Sequence, residues 1–164
     1  MAASPSDETP ETLPVVTSDL DVHLHARAIS PVSALLALRF SGPAGGSQPP
    51  QLMTSPEAPD LSASCWTRGP AGRPAMVVVT HPAVARVDAT TTLRMRISRP
   101  ARPLVAGFGG HLALFRLRRF TRLVRLDHYD SEGRRVGTER LVARLFSRGW
   151  LRRRFPRYRY SDYS

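Results

Sequence analysis

On an extended chain, side chains two residues apart point the same way and stand about 7 Å apart. Arg94 and Arg96 in "TTTLRMRIS" have this spacing, as do Arg116 and Arg118 in "HLALFRLRR". Guanidinium pairs placed so can clasp phosphates along a nucleic-acid backbone. Arg119 follows at once, and Arg122 and Arg125 extend the series in "TRLVRLDHY". The stretch "WLRRRFPRYRYSDYS", residues 150–164, sets Arg152, Arg153, Arg154, Arg157 and Arg159 among Phe155, Tyr158 and Tyr160. Arginine neutralises phosphate while a flat ring stacks on an unpaired base, so this tail is expected to add a second contact for single strands. Such contacts give affinity without sequence preference.

All 24 basic residues are arginine, against 13 acids, for a formal charge of +11. GC-rich coding alone puts arginine in place of lysine, so where the charge lies matters more than its amount. Residues 1–60 hold seven acids and two arginines, and residues 61–164 hold 22 arginines and six acids. Coding bias acts evenly along a chain, so this asymmetry points to a polyanion-binding half. The rival reading is internal compensation, with the acidic segment lying over the basic face. Acidic protein surfaces and anionic lipid headgroups would attract the same patch.

Other chemistry is thinly represented. His23 and His25 form an H-x-H pair whose rings share one strand face, the weak metal candidates of this chain. Zinc or copper needs three or four converging ligands. His81, His111, His128 and the single Cys65 complete the supply of soft ligands, with no spacing that implies convergence. No G-x-S-x-G, Walker-type loop or C-x-x-C occurs, and "GFGG" at 107–110 lacks the helix and lysine of a phosphate loop. A non-enzymatic protein without a cofactor is expected. One cysteine permits no intrachain disulfide, which suits a reducing, intracellular compartment, or a virion if the chain is viral. No apolar run reaches the length of a membrane span, and "MAASPSDETPETLP" has neither secretory nor mitochondrial leader character.

The elements that must carry these residues read as strands. Residues 1–18, rich in Ser, Pro, Thr and acid, are expected to form a disordered arm. In "LDVHLHARA", Leu20, Val22, Leu24 and Ala26 alternate with Asp21, His23, His25 and Arg27, the period of a half-buried strand. "VSALLALRFS" at 32–41 is a core strand or one short helix, and 42–60 reads as a flexible Gly/Pro/Ser loop. "ASCWT" and "AMVVVT" follow as strands separated by the turn "RGPAGRP". Residues 84–98 read as one strand with Leu93, Met95 and Ile97 opposite Arg94 and Arg96, ended by Pro100 and Pro103. Residues 111–119 fit a strand better than a basic helix, because the arginines of 112–126 do not collect on one helical face. "DSEGR" then joins "TRLVRLDHY" and "RVGTERLVARL" as an antiparallel hairpin. Trp66 and Trp150 are expected to fill core or interface space.

Short strands separated by Gly and Pro turns, without βαβ alternation, predict an all-β chain, an antiparallel sandwich or barrel-like domain over 19–149 between an acidic arm and an Arg/Tyr tail. The expected function is a nucleic-acid-binding structural protein, for RNA or single strands, with homo-oligomers favoured by exposed strand edges. By composition alone it suits viral coat, packaging or movement proteins. The alternative is a β-sandwich interaction module that docks an acidic protein partner.

Overall fold

The computed structural model describes residues 13–42, 45–46, 48–119 and 121–141. They form eleven strands and one short 3-10 helix at Pro70–Gly72. Every strand pairing is antiparallel. One sheet orders β1 (Val15–Asp19), β2 (Val22–Ser30), β3 (Ser33–Phe40) and β4 (Gln51–Thr54). A second holds β5 (Ser62–Arg68), β6 (Pro74–Thr80) and β9 (His111–Arg116). The third runs β11 (Arg135–Arg140), β10 (Leu123–Tyr129), β7 (Arg86–Thr91) and β8 (Arg96–Pro100).

The three-stranded sheet lies between the other two, which explains its composition. Val77 and Val79 of β6, with Leu112 and Leu114 of β9, pack against Val22, Leu24, Leu36 and Leu38 of the first sheet. Their neighbours Met76, Val78, Ala113 and Phe115 point the other way, onto Val87, Ala89, Leu123 and Leu126 of the third. A strand buried on both faces has no polar phase, so "AMVVVT" and "HLALF" are continuous apolar runs. "SALLALRF" is continuous for a related reason. Ala34, Leu36, Leu38 and Phe40 face the core, while Leu35 and Ala37 face outward beneath Leu13.

Several expectations change. Residues 15–18, placed in the arm, belong to β1, and the 42–60 loop contains β4. Leu20 does not continue the β2 alternation: it sits in the two-residue β1–β2 turn with φ 54° and is 78% exposed. The supposed strand 84–98 folds back on itself at residues 92–95, where Thr91 N–H donates to Met95 O at 2.9 Å and Arg94 adopts φ 59°. The alternation of Leu93, Met95 and Ile97 thus spans a tight hairpin, and Leu93 and Met95 are exposed. "DSEGR" forms the expected turn, with Gly133 at φ 78° and Asp130 Oδ1 accepting from the main-chain N–H of Glu132 and Arg134, both at 2.9 Å. "GFGG" is a connection pinned by its ring, since Phe108 is buried in the first core. Among the described residues no helix is long and apolar enough to cross a membrane.

Candidate nucleic-acid interface

The expected arginines separate into two groups. Those on the outer face of the β11-β10-β7-β8 sheet are tied to carboxylates. Arg96 bonds Asp88 and donates to Tyr129 Oη at 2.9 Å, while Arg86 lies 4.2 Å over the Tyr129 ring and 3.2 Å from Asp88. Arg125 donates to Asp127 at 2.8 Å, and Thr138 donates to the same carboxylate oxygen at 2.6 Å. Burial pushes the Asp127 carboxyl up, but the hydrogen bonds from Arg125 and Thr138 outweigh it and hold the group below the usual carboxylate range. This face is largely neutralised from within.

Arg116 is removed from the surface altogether. It does not share an exposed face with Arg118; its side chain is 2% exposed. Nε and Nη2 donate to Asp21 Oδ1 and Oδ2 at 2.7 and 3.0 Å, and Nη1 donates to the carbonyls of Arg73 and Pro74 at 2.6 and 3.0 Å. Its guanidinium carbon stands 5.0 Å from the Phe40 ring centre. The hydrogen bond from Arg116 is the chief cause that lowers the Asp21 carboxyl. Asp19 likewise meets Arg99 at 3.4 Å. Two acids of the β1–β2 hairpin therefore compensate arginines of the basic half, as the rival reading of the charge pattern anticipates.

The second group gathers at one end of the molecule around a cleft of about 490 Å³. Near its start β5 is tied to β11 by a hydrogen bond between Ser62 and Glu139. Further along, the two edges leave a space floored by Met76, Leu117, Leu123 and Leu141 and rimmed by Arg68, Arg119 and Arg122. Trp66 and Arg68 share a face of β5, two residues apart, and Trp66 is 41% exposed there instead of filling the core. The β7–β8 turn, which carries exposed Arg94, is stitched to this end, since Thr92 N–H donates to Arg122 O at 2.8 Å. Arg118 is exposed on the β9–β10 connection between them. Thr121 also lines the cleft; it is 2% exposed, and its hydroxyl has no hydrogen-bond partner among the described residues.

Of the sequence-derived residues, Arg119 and Arg122 line the cleft and Arg94 and Arg118 are exposed on the turns that adjoin it, whereas Arg96, Arg116 and Arg125 are engaged elsewhere. Arg152, Arg153, Arg154, Arg157, Tyr158, Arg159 and Tyr160, like Trp150, lie outside the described residues. Leu141, the last described residue, lies in the cleft floor. Arg68 was not anticipated, although the W-x-R spacing of "CWTR" places both side chains on one strand face.

The histidines do other work. His25 Nδ1 donates to Leu13 O at 2.8 Å, His111 Nδ1 to Val84 O at 2.7 Å and His128 Nδ1 to Pro59 O at 3.1 Å. His23 shares a 2.7 Å hydrogen bond with Ser18. Among the described residues no three His, Cys, Asp or Glu side chains gather as a metal site. Cys65 faces the first core, where burial pushes its thiol up to about 12 and leaves it un-ionised at neutral pH.

The fold and its basic cleft define an antiparallel, nearly all-β protein. No protein-family model, curated protein or solved structure matches this chain.

Proposed function

We propose that this is a non-enzymatic nucleic-acid-binding protein that takes single strands across the cleft end of its sandwich-like stack of sheets. One observation carries the reading: an exposed tryptophan and the arginines Arg68, Arg119 and Arg122 line one cleft, with no carboxylate among the described residues that line it. Phosphates neutralised by Arg68, Arg94, Arg118, Arg119 and Arg122 would give a salt-dependent attraction, and rings would add stacking that a duplex does not offer. The neutralised sheet face around Asp88 and Asp127 has no part in it. A coat, packaging or movement role for a viral genome, in an assembly of several copies, is the biological setting this composition suits.

The test is binding of the full chain to a fluorescent single-stranded RNA and to its duplex, each at low and physiological salt. Tight, salt-sensitive binding that favours the single strand is the expected result. Salt-insensitive binding, or none, overturns it and directs attention to an acidic protein partner. A chain ending at Gly149 is expected to keep its melting temperature while losing single-strand affinity and part of the salt slope.

A further inference from the structure

The cleft is more than a basic surface. Its floor is apolar, one wall is an indole, and the Thr121 hydroxyl is buried without a partner among the described residues. A buried hydroxyl left unpaired is costly, and native structures rarely keep one without a reason. Phosphate alone explains neither the apolar floor nor this hydroxyl. A flat heteroaromatic ring with polar edges, attached to an anionic backbone, suits all three features. The volume of about 490 Å³ accommodates one such unit.

Resting on the proposed binding of single strands, we infer that the cleft seats one unpaired nucleobase of the bound strand. The ring stacks on Trp66, the Thr121 side chain turns its buried hydroxyl to the polar edge of the ring, and Arg68, Arg119 and Arg122 at the rim receive the flanking phosphates. A base held in a duplex cannot enter, so the seat favours single strands. Hydrogen bonding at the ring edge also gives this one position a base preference that phosphate contacts lack.

The experiment compares the full chain with its W66A, W66F and T121V variants. Each is titrated with single-stranded RNAs that differ only in base and with an abasic strand of equal length and phosphate count, following affinity and Trp fluorescence. The wild type is expected to bind the RNA about tenfold more tightly than the abasic strand. W66A should lose most of that difference and W66F should keep most of it. T121V is the sharper probe, because it removes an unpaired buried hydroxyl: its melting temperature should hold or rise while its discrimination among bases falls.

Equal affinity for RNA and abasic strand, with the same Trp fluorescence response in the wild type and W66F, overturns the base seat and leaves nucleic-acid binding standing. Failure of both strands to bind overturns both readings. T121V with unchanged base discrimination removes the hydroxyl from the account of recognition and with it the seat as described here.

Discussion

Replacing Arg116 by alanine distinguishes a framework arginine from a ligand contact. The side chain donates four hydrogen bonds and covers the Phe40 ring, at 2% exposure. Asp21 is 40% exposed on its side of the pair, so solvent screening limits the ion pair to about 1 kcal/mol. The two bonds to the carbonyls of Arg73 and Pro74 are worth about 1 kcal/mol each, and the contact with Phe40 about 0.5 kcal/mol. A loss of roughly 3.5 kcal/mol follows, and for a chain of this size that lowers the melting temperature by roughly 10 °C. Thermal unfolding followed by circular dichroism reads the shift. Asp21→Asn alone should cost about 1 kcal/mol, and in the Arg116→Ala background almost nothing, because the pair is already broken. The refuting result is a melting temperature within about 2 °C of wild type together with a large drop in RNA affinity. Arg116 would then contact the ligand, as its spacing from Arg118 alone suggests.

Acid should act through the same pair. The lowered Asp21, Asp127 and Asp130 carboxyls are more acidic in the folded chain than in the unfolded one. Their stabilisation is fully present above the ordinary carboxylate value and is lost as pH falls below about 4; a pH series of melting curves should show a decline there that Arg116→Ala shares less. Gly137→Ala should destabilise by about 2 kcal/mol, because a Cβ there would stand 2.4 Å from the Asp60 main-chain Cα, and denaturant unfolding measures it. Leu20→Asn should stabilise by about 0.5 kcal/mol: the φ of 54° suits asparagine better than leucine, and the leucine is 78% exposed. An unchanged or lower midpoint for Leu20→Asn would contradict that account of the β1–β2 turn.

Much of the fold is written in local patterns. The alternation of Val22, Leu24 and Ala26, the density of Val77, Val78 and Val79, and the turn residues of "DSEGR" each specify an element through interactions within a few residues. The 84–98 stretch misleads because a two-residue period continues through a tight turn when exposed residues happen to keep it. Leu93 and Met95 do so, and only the left-handed conformation of Arg94 breaks the strand. The layering of three sheets was not legible, since it depends on which strands lie between others. The candidate site divides in the same way. Arginine spacing identifies Arg94, Arg118, Arg119 and Arg122, but which carboxylate an arginine meets depends on the strands the fold brings beside it. Asp21 lies 95 residues from Arg116 and takes it out of the surface. Asp88 and Asp127 take up Arg96 and Arg125 from nearby in the chain, and the two-residue spacing of Arg125 and Asp127 already puts both side chains on one strand face. The cleft is less visible still, because Trp66, Thr121 and Leu141 converge only when β5 and β11 come together.

A charge-matched comparison tests the central claim most directly. Arg68→Ala with Arg118→Ala removes two cations from the cleft end, and Arg27→Ala with Arg39→Ala removes two from the outer sheet on the far side of the middle layer. Single-strand affinity is measured for both double variants and the wild type across a salt series. The account predicts that the cleft variant binds more weakly and loses about 0.7 in logarithmic salt slope per phosphate contact removed, while the far-side variant keeps the wild-type slope. Equal losses in both would mean that net charge alone attracts the strand, and the cleft would not be the site.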